Sequence, residues 1–487
     1  MDLNRNQRLS MSAAWGALAC VLLSGIYPFQ QASARPPAID VLHRTSSENT
    51  SYTPPHDIIF DATTLNTAGA SVGSPGDLGV AWQSGLYKIV GSFPVNPGGG
   101  GGDDRTDARI RINGSDYSYH LEETGNTNAW GQYDFSQYGQ LNAGDVIRFQ
   151  VLRGNNPRLA GSAWTKGTIV SFNEIDGQSP IDVLRRTSSE NNFASPHNIQ
   201  FDATTLNTAG ASTGSPGILG IAWQDGLYEV GGSFVVNPQG GADRVDARIL
   251  VNGSIAGRQL EQTNQSSGWH QLDFSQFVEL DEGDEVALQV ISSGTNPRLA
   301  STNWTKGTMV AYNEINDEPV VDVLQRTSTE GTFTSPHDIV WDAAPIDTAG
   351  VSPGTSDVLA QAWQDGLYEI RGNFVVDPQG GNERVDVDIM VNDTVFSQHM
   401  EQTSNSNSWH QFHFGQLFEL TQGDIIKLRV TSGGNNPRLA GTYSPLWALG
   451  EVIAYNEIPP IPEPSTFLIW ALGLLGLAWC ARRRRTK

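Results

Sequence analysis

Apolar and polar residues alternate with a period of two through most of this chain. Tyr228, Val230, Phe234 and Val236 are interleaved with Glu229 and Ser233, Ala247, Ile249 and Val251 with Asp246 and Arg248, and Val286, Leu288 and Val290 with Glu285 and Gln289. That period belongs to strands with one face on a core. Turn formers separate them, as in Asn237-Pro238-Gln239-Gly240, Asn252-Gly253 and Glu282-Gly283-Asp284, and Asn-Gly suits the left-handed backbone of a tight hairpin. No run of helical periodicity occurs between residues 38 and 458. The pattern predicts an all-β fold with eight to ten short strands in each stretch of about 140 residues, which points to β-sandwiches.

The same phrases return three times. Asp40-Val41-Leu42, Asp182-Val183-Leu184 and Asp322-Val323-Leu324 open the copies, and Trp-Gln-x-Gly-Leu-Tyr follows at Trp82, Trp223 and Trp363. Asn-Pro-Arg-Leu-Ala recurs at Asn156, Asn296 and Asn436, and Asn-Glu-Ile closes each copy at Asn173, Asn313 and Asn456. A spacing of this size is that of domains rather than of a solenoid. Three tandem β-sandwich modules are expected at 38–175, 180–315 and 320–458, on joints of about four residues that hold neighbours close. The third copy carries a short insertion between Tyr443 and Gly450.

The order of phrases within a module, from Ile-x-Phe-Asp through Gly-Leu-Tyr-Glu-Val and Asp-Ala-Arg-Ile to Gly-Asp-Glu-Val-Ala-Leu-Gln-Val, resembles the jelly roll of complement globular heads and tumour-necrosis-factor ligands. That resemblance implies jelly-roll-like modules that associate in threes around an axis, here within one chain as an intramolecular pseudo-trimer.

The ends read differently from the interior. Arg5 and Arg8 precede the apolar run 12–26, and Ala32-Ser33-Ala34 offers the small residues that signal peptidase requires, so residues 1–34 read as a signal peptide cleaved after Ala34. At the other end Pro462-Glu463-Pro464 is followed by apolar residues 467–481 and by the basic cluster Arg482, Arg483, Arg484 and Arg485. A single hydrophobic helix with basic residues held on the cytoplasmic side is the expectation there. Residues 462–487 resemble the PEP-CTERM sorting signal, a Pro-Glu-Pro motif, a short transmembrane helix and a basic end. That family implies an exosortase-type processing enzyme as partner, an inner-membrane-anchored precursor, and a final place at the cell surface or in the extracellular matrix, in systems that accompany exopolysaccharide and biofilm production.

Composition narrows the possibilities. The only cysteines, Cys20 and Cys480, lie inside the two targeting segments, so disulfides and thiolate metal sites are not expected in the folded part. The chain carries a net charge of −22. Without 1–34 and 465–487 it keeps 23 basic residues against 51 acidic ones, about −28, which disfavours nucleic acid and anionic lipid headgroups as partners and leaves cations, neutral glycans and basic proteins.

Candidate chemistry is sparse. Trp130, Trp269 and Trp409 recur after Glu-x-Thr and offer rings on which a glycan could stack, although packing into a core or sheet is the competing assignment. Asp104 and Asp107, Asp243 and Asp246, and Glu383 and Asp386 flank an arginine after Gly-rich loops; they are calcium candidates, with a local ion pair as the alternative. No cofactor is otherwise implied. His56, His197 and His337 each follow a proline at a strand entrance, where one histidine per copy supplies at most one metal ligand. Asn113, Asn252 and Asn392 read as sequons or as tight turns. There is no His-Glu-x-x-His and no phosphate-binding loop. Three near-equal copies favour multivalent binding or structure over one active site. The expected function is that of an exported structural or adhesive surface protein, not an enzyme. The alternative is a multivalent exopolysaccharide-binding lectin, and a polysaccharide-acting enzyme ranks last.

Overall fold

The computed structural model describes residues 38–457 apart from 99–104, 124–128, 241–243, 263–267, 352–353, 381–383, 403–407 and 435. The signal peptide with Ala32 and Ala34, the Pro-Glu-Pro motif, the hydrophobic run and the arginine cluster all lie outside the described residues. Strands account for 58% of the structure and helix for 3%, so the chain is all-β. Among the described residues no helix is long and apolar enough to cross a membrane.

Each repeat contributes two antiparallel sheets. In the second repeat the six-stranded sheet runs Ala203–Asn207, Ile181–Thr187, Lys306–Tyr312, Gly226–Asn237 and His270–Leu280, with Arg298–Leu299 paired to the long Gly226–Asn237 strand. Its five-stranded partner runs His197–Asn198, Glu285–Ser292, Arg244–Val251 and Ser254–Gln262, with Gly220–Ile221 also on Glu285–Ser292. The other two repeats reproduce both orders. Between the two sheets of each repeat lies an apolar cluster, such as Val230, Phe234, Val245, Ile249, Phe274 and Leu288 in the second. The hairpins turn where the sequence supplies left-handed residues: Asn113, Asn252 and Asn392 have φ of 51°, 49° and 50°. Their side-chain amides donate to Asp145, Asp284 and Asp424 at 2.6, 2.7 and 2.7 Å.

The six sheets form a propeller-like ring rather than three separate tandem sandwiches, and residues 37–458 make one compact unit. The physical reason is that the strand faces turned away from each repeat's own cluster are buried as well. A fourth apolar cluster draws on all three repeats, including Val41, Phe172, Val183, Tyr312, Val323 and Tyr455. The joints are tied into it: Ile175 and Ile315 are buried there, beside a turn that pairs Ile175 with Gln178 and a small hairpin of Glu314–Ile315 with Glu318–Pro319.

Candidate functional site

Most of the chemistry-bearing side chains lie where the repeats meet. Along the central strands Gly85–Asn96, Gly226–Asn237 and Gly366–Asp377, alternate residues face the sandwich clusters, and those between them face the other repeats. Leu86, Leu227 and Leu367 belong to the shared apolar cluster. One step on, the equivalent residues Lys88, Glu229 and Glu369 converge. Lys88 Nζ lies 2.9 Å from Glu369 Oε1 and 3.7 Å from Glu229 Oε2. Arg371 bridges the same two carboxylates, with Nη2 2.9 Å from Glu229 and Nε 2.8 Å from Glu369. The hydroxyls of Tyr138 and Tyr312 donate to Glu229 and that of Tyr455 to Glu369, at 2.8, 3.1 and 2.8 Å. Burial alone would push Glu229 up, but Arg371 and then Lys88 outweigh it and draw it down to about 2. Glu369 is held well below the carboxylate range by the same competition.

Further along, two junctions carry a serine, a histidine and an aspartate in line. Ser397 Oγ lies 3.3 Å from His399 Nε2, whose Nδ1 is 3.4 Å from Asp134 of the first repeat. Ser118 Oγ likewise lies 3.1 Å from His120 Nε2, and His120 Nδ1 lies 3.4 Å from Asp273 of the second repeat. Lys166 Nζ donates to Ser397 at 2.5 Å, and burial, against Asp134 and Asp388, lowers its pKa to about 7. The arrangement has the order of a nucleophilic triad, yet both serines are at most 1% exposed and both histidines are wholly buried, stacked on Phe414 and Phe135. No substrate carbonyl reaches such a hydroxyl. The geometry holds strands of adjacent repeats together instead. At the third junction Gly257, Gln259 and His413 stand at these positions, and Gln259 donates to Asn373. A cavity of about 30 Å³ beside Asp273, Ser275, Lys306 and His413 has room for about two water molecules; Ser275 N–H donates to His413 Nε2 at 3.0 Å.

Three equivalent glutamates, Glu122, Glu261 and Glu401, form a last layer and are all buried. Burial first, and then the neighbouring glutamates, push Glu122 and Glu401 well above the ordinary carboxylate value. Gln132 N–H donates to Glu401 at 3.0 Å and Gln411 N–H to Glu261 at 3.3 Å, each across a junction.

Trp130, Trp269 and Trp409 mark the same junctions. Each lies under the arginine of its own Asn-Pro-Arg-Leu-Ala phrase: Arg158, Arg298 and Arg438 stand 5.0, 5.6 and 4.9 Å from the ring centroids. Their backbones bond to the neighbour. Gln402 N–H donates to Trp130 O at 3.0 Å, Trp269 N–H to Glu123 at 3.0 Å, and Gln262 N–H to Trp409 O at 3.2 Å. The contacts run from repeat three to one, one to two and two to three, so the ring is closed. Trp409 is buried, and Trp130 and Trp269 are half-buried.

Of the calcium candidates, Asp104, Asp243 and Glu383 lie outside the described residues. Asp107, Asp246 and Asp386 are gripped by the arginine two places before them, at 2.6, 2.7 and 2.6 Å. Among the described residues no group of three or more His, Cys, Asp or Glu side chains is placed to hold a metal ion. His56, His197 and His337 lie 2.9, 2.8 and 2.6 Å from Glu48, Glu190 and Glu330. The axial ion cluster was missed by strand patterning, which treats Lys88 and Glu229 as the polar face. Its signal was the unlike charge at equivalent positions of three otherwise similar copies.

Residues 460–484 match the family model of the PEP-CTERM protein-sorting motif. The tail carries an exosortase sorting signal. The motif marks an exosortase-targeted surface protein, with export and a membrane-anchored precursor. No curated protein matches the chain. Among solved structures, murine APRIL is 16% identical, with 28% of this chain and 99% of that one covered and a TM-score of 0.22. Eiger TNF from S. frugiperda is 13% identical, covering 29% and 96%, with a TM-score of 0.24. PNGF-II is 7% identical, covering 78% and 99%, with a TM-score of 0.24. At these scores the likenesses carry no argument.

Proposed function

We propose that this protein is a structural or adhesive component of the cell surface or matrix, in which three jelly-roll-like sandwiches close on themselves as an intramolecular pseudo-trimer. The observation that carries this reading is the convergence of Lys88, Glu229 and Glu369, one from each repeat, in a single buried ion cluster. A side chain from every repeat is needed to neutralise it, so the three act as one body and present their outer surfaces in fixed relation. The reading assigns the protein no enzymatic activity, since its Ser–His–Asp arrays are sealed from solvent.

Small-angle scattering tests the closed arrangement. A compact particle of about 420 residues has a radius of gyration of about 22 Å; a rod of three beads, with a value well above that, contradicts the proposal. Mass spectrometry of the host's medium and envelope fractions tests the sorting route. A chain running from near Arg35 to near Pro464 supports it, and an intact tail through Lys487 does not.

A second reading, a multivalent exopolysaccharide-binding lectin, is favoured by the aromatic and arginine side chains gathered at the junctions. Its original anchors, the faces of Trp130, Trp269 and Trp409, are partly covered by arginines, which directs attention to other aromatic groups.

A further inference from the structure

One junction differs from the other two on its outer surface. Arg248 and Arg258 sit directly opposite each other on the paired strands Arg244–Val251 and Ser254–Gln262. Like charges in that relation repel. At the equivalent pair of the first repeat, Arg109 faces Tyr119 and is bonded to Asp116 at 2.7 Å. In the third, Asp388 faces Gln398 and accepts from it at 2.9 Å. Among the described residues neither Arg248 nor Arg258 has a carboxylate within ion-pair distance, and the Nε of each is buried without a hydrogen-bond acceptor. Arg248 has a 3.5 Å contact to Gln289, and Asp246 is taken up by Arg244. Burial and then Arg248 both draw Arg258 below the ordinary arginine value. Arg258 still feels Asp246, but Arg244 already holds that carboxylate, so positive charge is in excess here on a protein of net charge −22.

The third repeat's insertion sets aromatic groups against it. Trp447 packs on Leu260, and Arg244 and Arg258 stand 5.4 and 5.3 Å from its ring. Tyr443, whose ring is 6.5 Å from that of Trp447, is 58% exposed. Arg438 lies between Tyr443 and Trp409, 5.8 and 4.9 Å from their rings. Guanidinium groups bind carboxylates and sulfates through paired hydrogen bonds, and an exposed aromatic face stacks on a sugar ring.

We propose that the surface formed by Arg248, Arg258 and Tyr443, between the second and third repeats, with Trp447 buried against them, binds an anionic polysaccharide. Each arginine takes an acidic substituent and Tyr443 takes the face of a neighbouring sugar. The inference deepens the lectin reading and gives it a ligand class and one site in place of three.

The test uses the full-length chain in affinity electrophoresis through gels holding polygalacturonate, dextran sulfate or neutral dextran. Retardation by either anionic polymer, absent with dextran and weakened by salt, is expected, and the polymer that retards identifies the acidic group as carboxylate or sulfate. R248Q/R258Q should lower the affinity at least tenfold without lowering the melting temperature, because it removes a repelling pair. Tyr443→Ala should lower it several-fold, and Arg109→Gln, at the equivalent position of the first repeat, should leave it within twofold. Equal retardation by dextran, no retardation by either anionic polymer at low salt, or wild-type affinity in R248Q/R258Q overturns the proposal. Binding to polyglutamate with none to the polysaccharides also overturns it, in favour of an acidic protein partner. A chain that scatters as a compact particle yet ignores both anionic polymers defeats this inference alone, and leaves the closed-ring reading standing.

Discussion

Lys88 holds a strand position that alternation assigns to the polar face, yet its side chain is 1% exposed. A buried cation is tolerable only where anions replace its water, and here Glu369 and Glu229 do so. Lys88→Met should cost about 3 kcal/mol or more, since it leaves two carboxylates sharing Arg371; a denaturant titration at neutral pH measures it. Four histidines give a separate handle. Burial depresses His43 and His410 to about 3 and His270 and His413 to about 4. The unfolded chain takes up those protons near pH 6.5 while the folded chain refuses them, so their contribution to stability falls as pH drops from about 6.5 toward 4. Melting temperature between pH 8 and 4.5 should show this decline. His410→Phe, which replaces a ring with two unpartnered nitrogens, should make the curve shallower with no loss at pH 7.5.

At the scale of strands and turns the chain was largely readable. Asn252-Gly253 and Glu282-Gly283-Asp284 sit in turns, and the alternation through Tyr228 to Val236 is that of one long strand. What patterning could not supply was the second environment. It separates two faces of a strand but does not say whether the polar one meets water or another repeat, because Ser233 and Gln271 look alike in either place. The layer of Glu122, Glu261 and Glu401 was hidden for that reason. With Glu122 and Glu401 raised above the ordinary value of 4.5, these two weaken the fold above their folded-state pKa and cease to do so below about 4.5. The double substitution E122Q/E401Q should therefore raise the melting temperature at pH 8 and leave it unchanged near pH 4. The arginine of each Asn-Pro-Arg-Leu-Ala phrase was visible as a repeated residue, but its place over a tryptophan about 28 positions earlier depends on the strands between them.

The whole molecule was half legible: three copies were plain from the repeated phrases, whereas their association within one chain was expected only from the family resemblance and not from the strand pattern. Equivalent positions that stayed alike, such as Leu86, Leu227 and Leu367, revealed the repeat. Those that diverged, such as Val90, Gly231 and Arg371, carry the information on how copies meet. A chain ending at residue 319 keeps two repeats but loses Glu369 and Arg371, leaving the shared apolar cluster and Lys88 uncovered. Light scattering should find that fragment associated or expanded, while the intact chain is a compact monomer.

The pairing of Lys88 with Glu369 also sets a timetable. Some 281 residues separate the two, and a chain exported from its N-terminus delivers them to the far side of the membrane at very different moments. The first repeat must wait, one face still wet, until the third has come through. Closure therefore cannot precede the arrival of the third repeat, the last folded segment before the sorting motif.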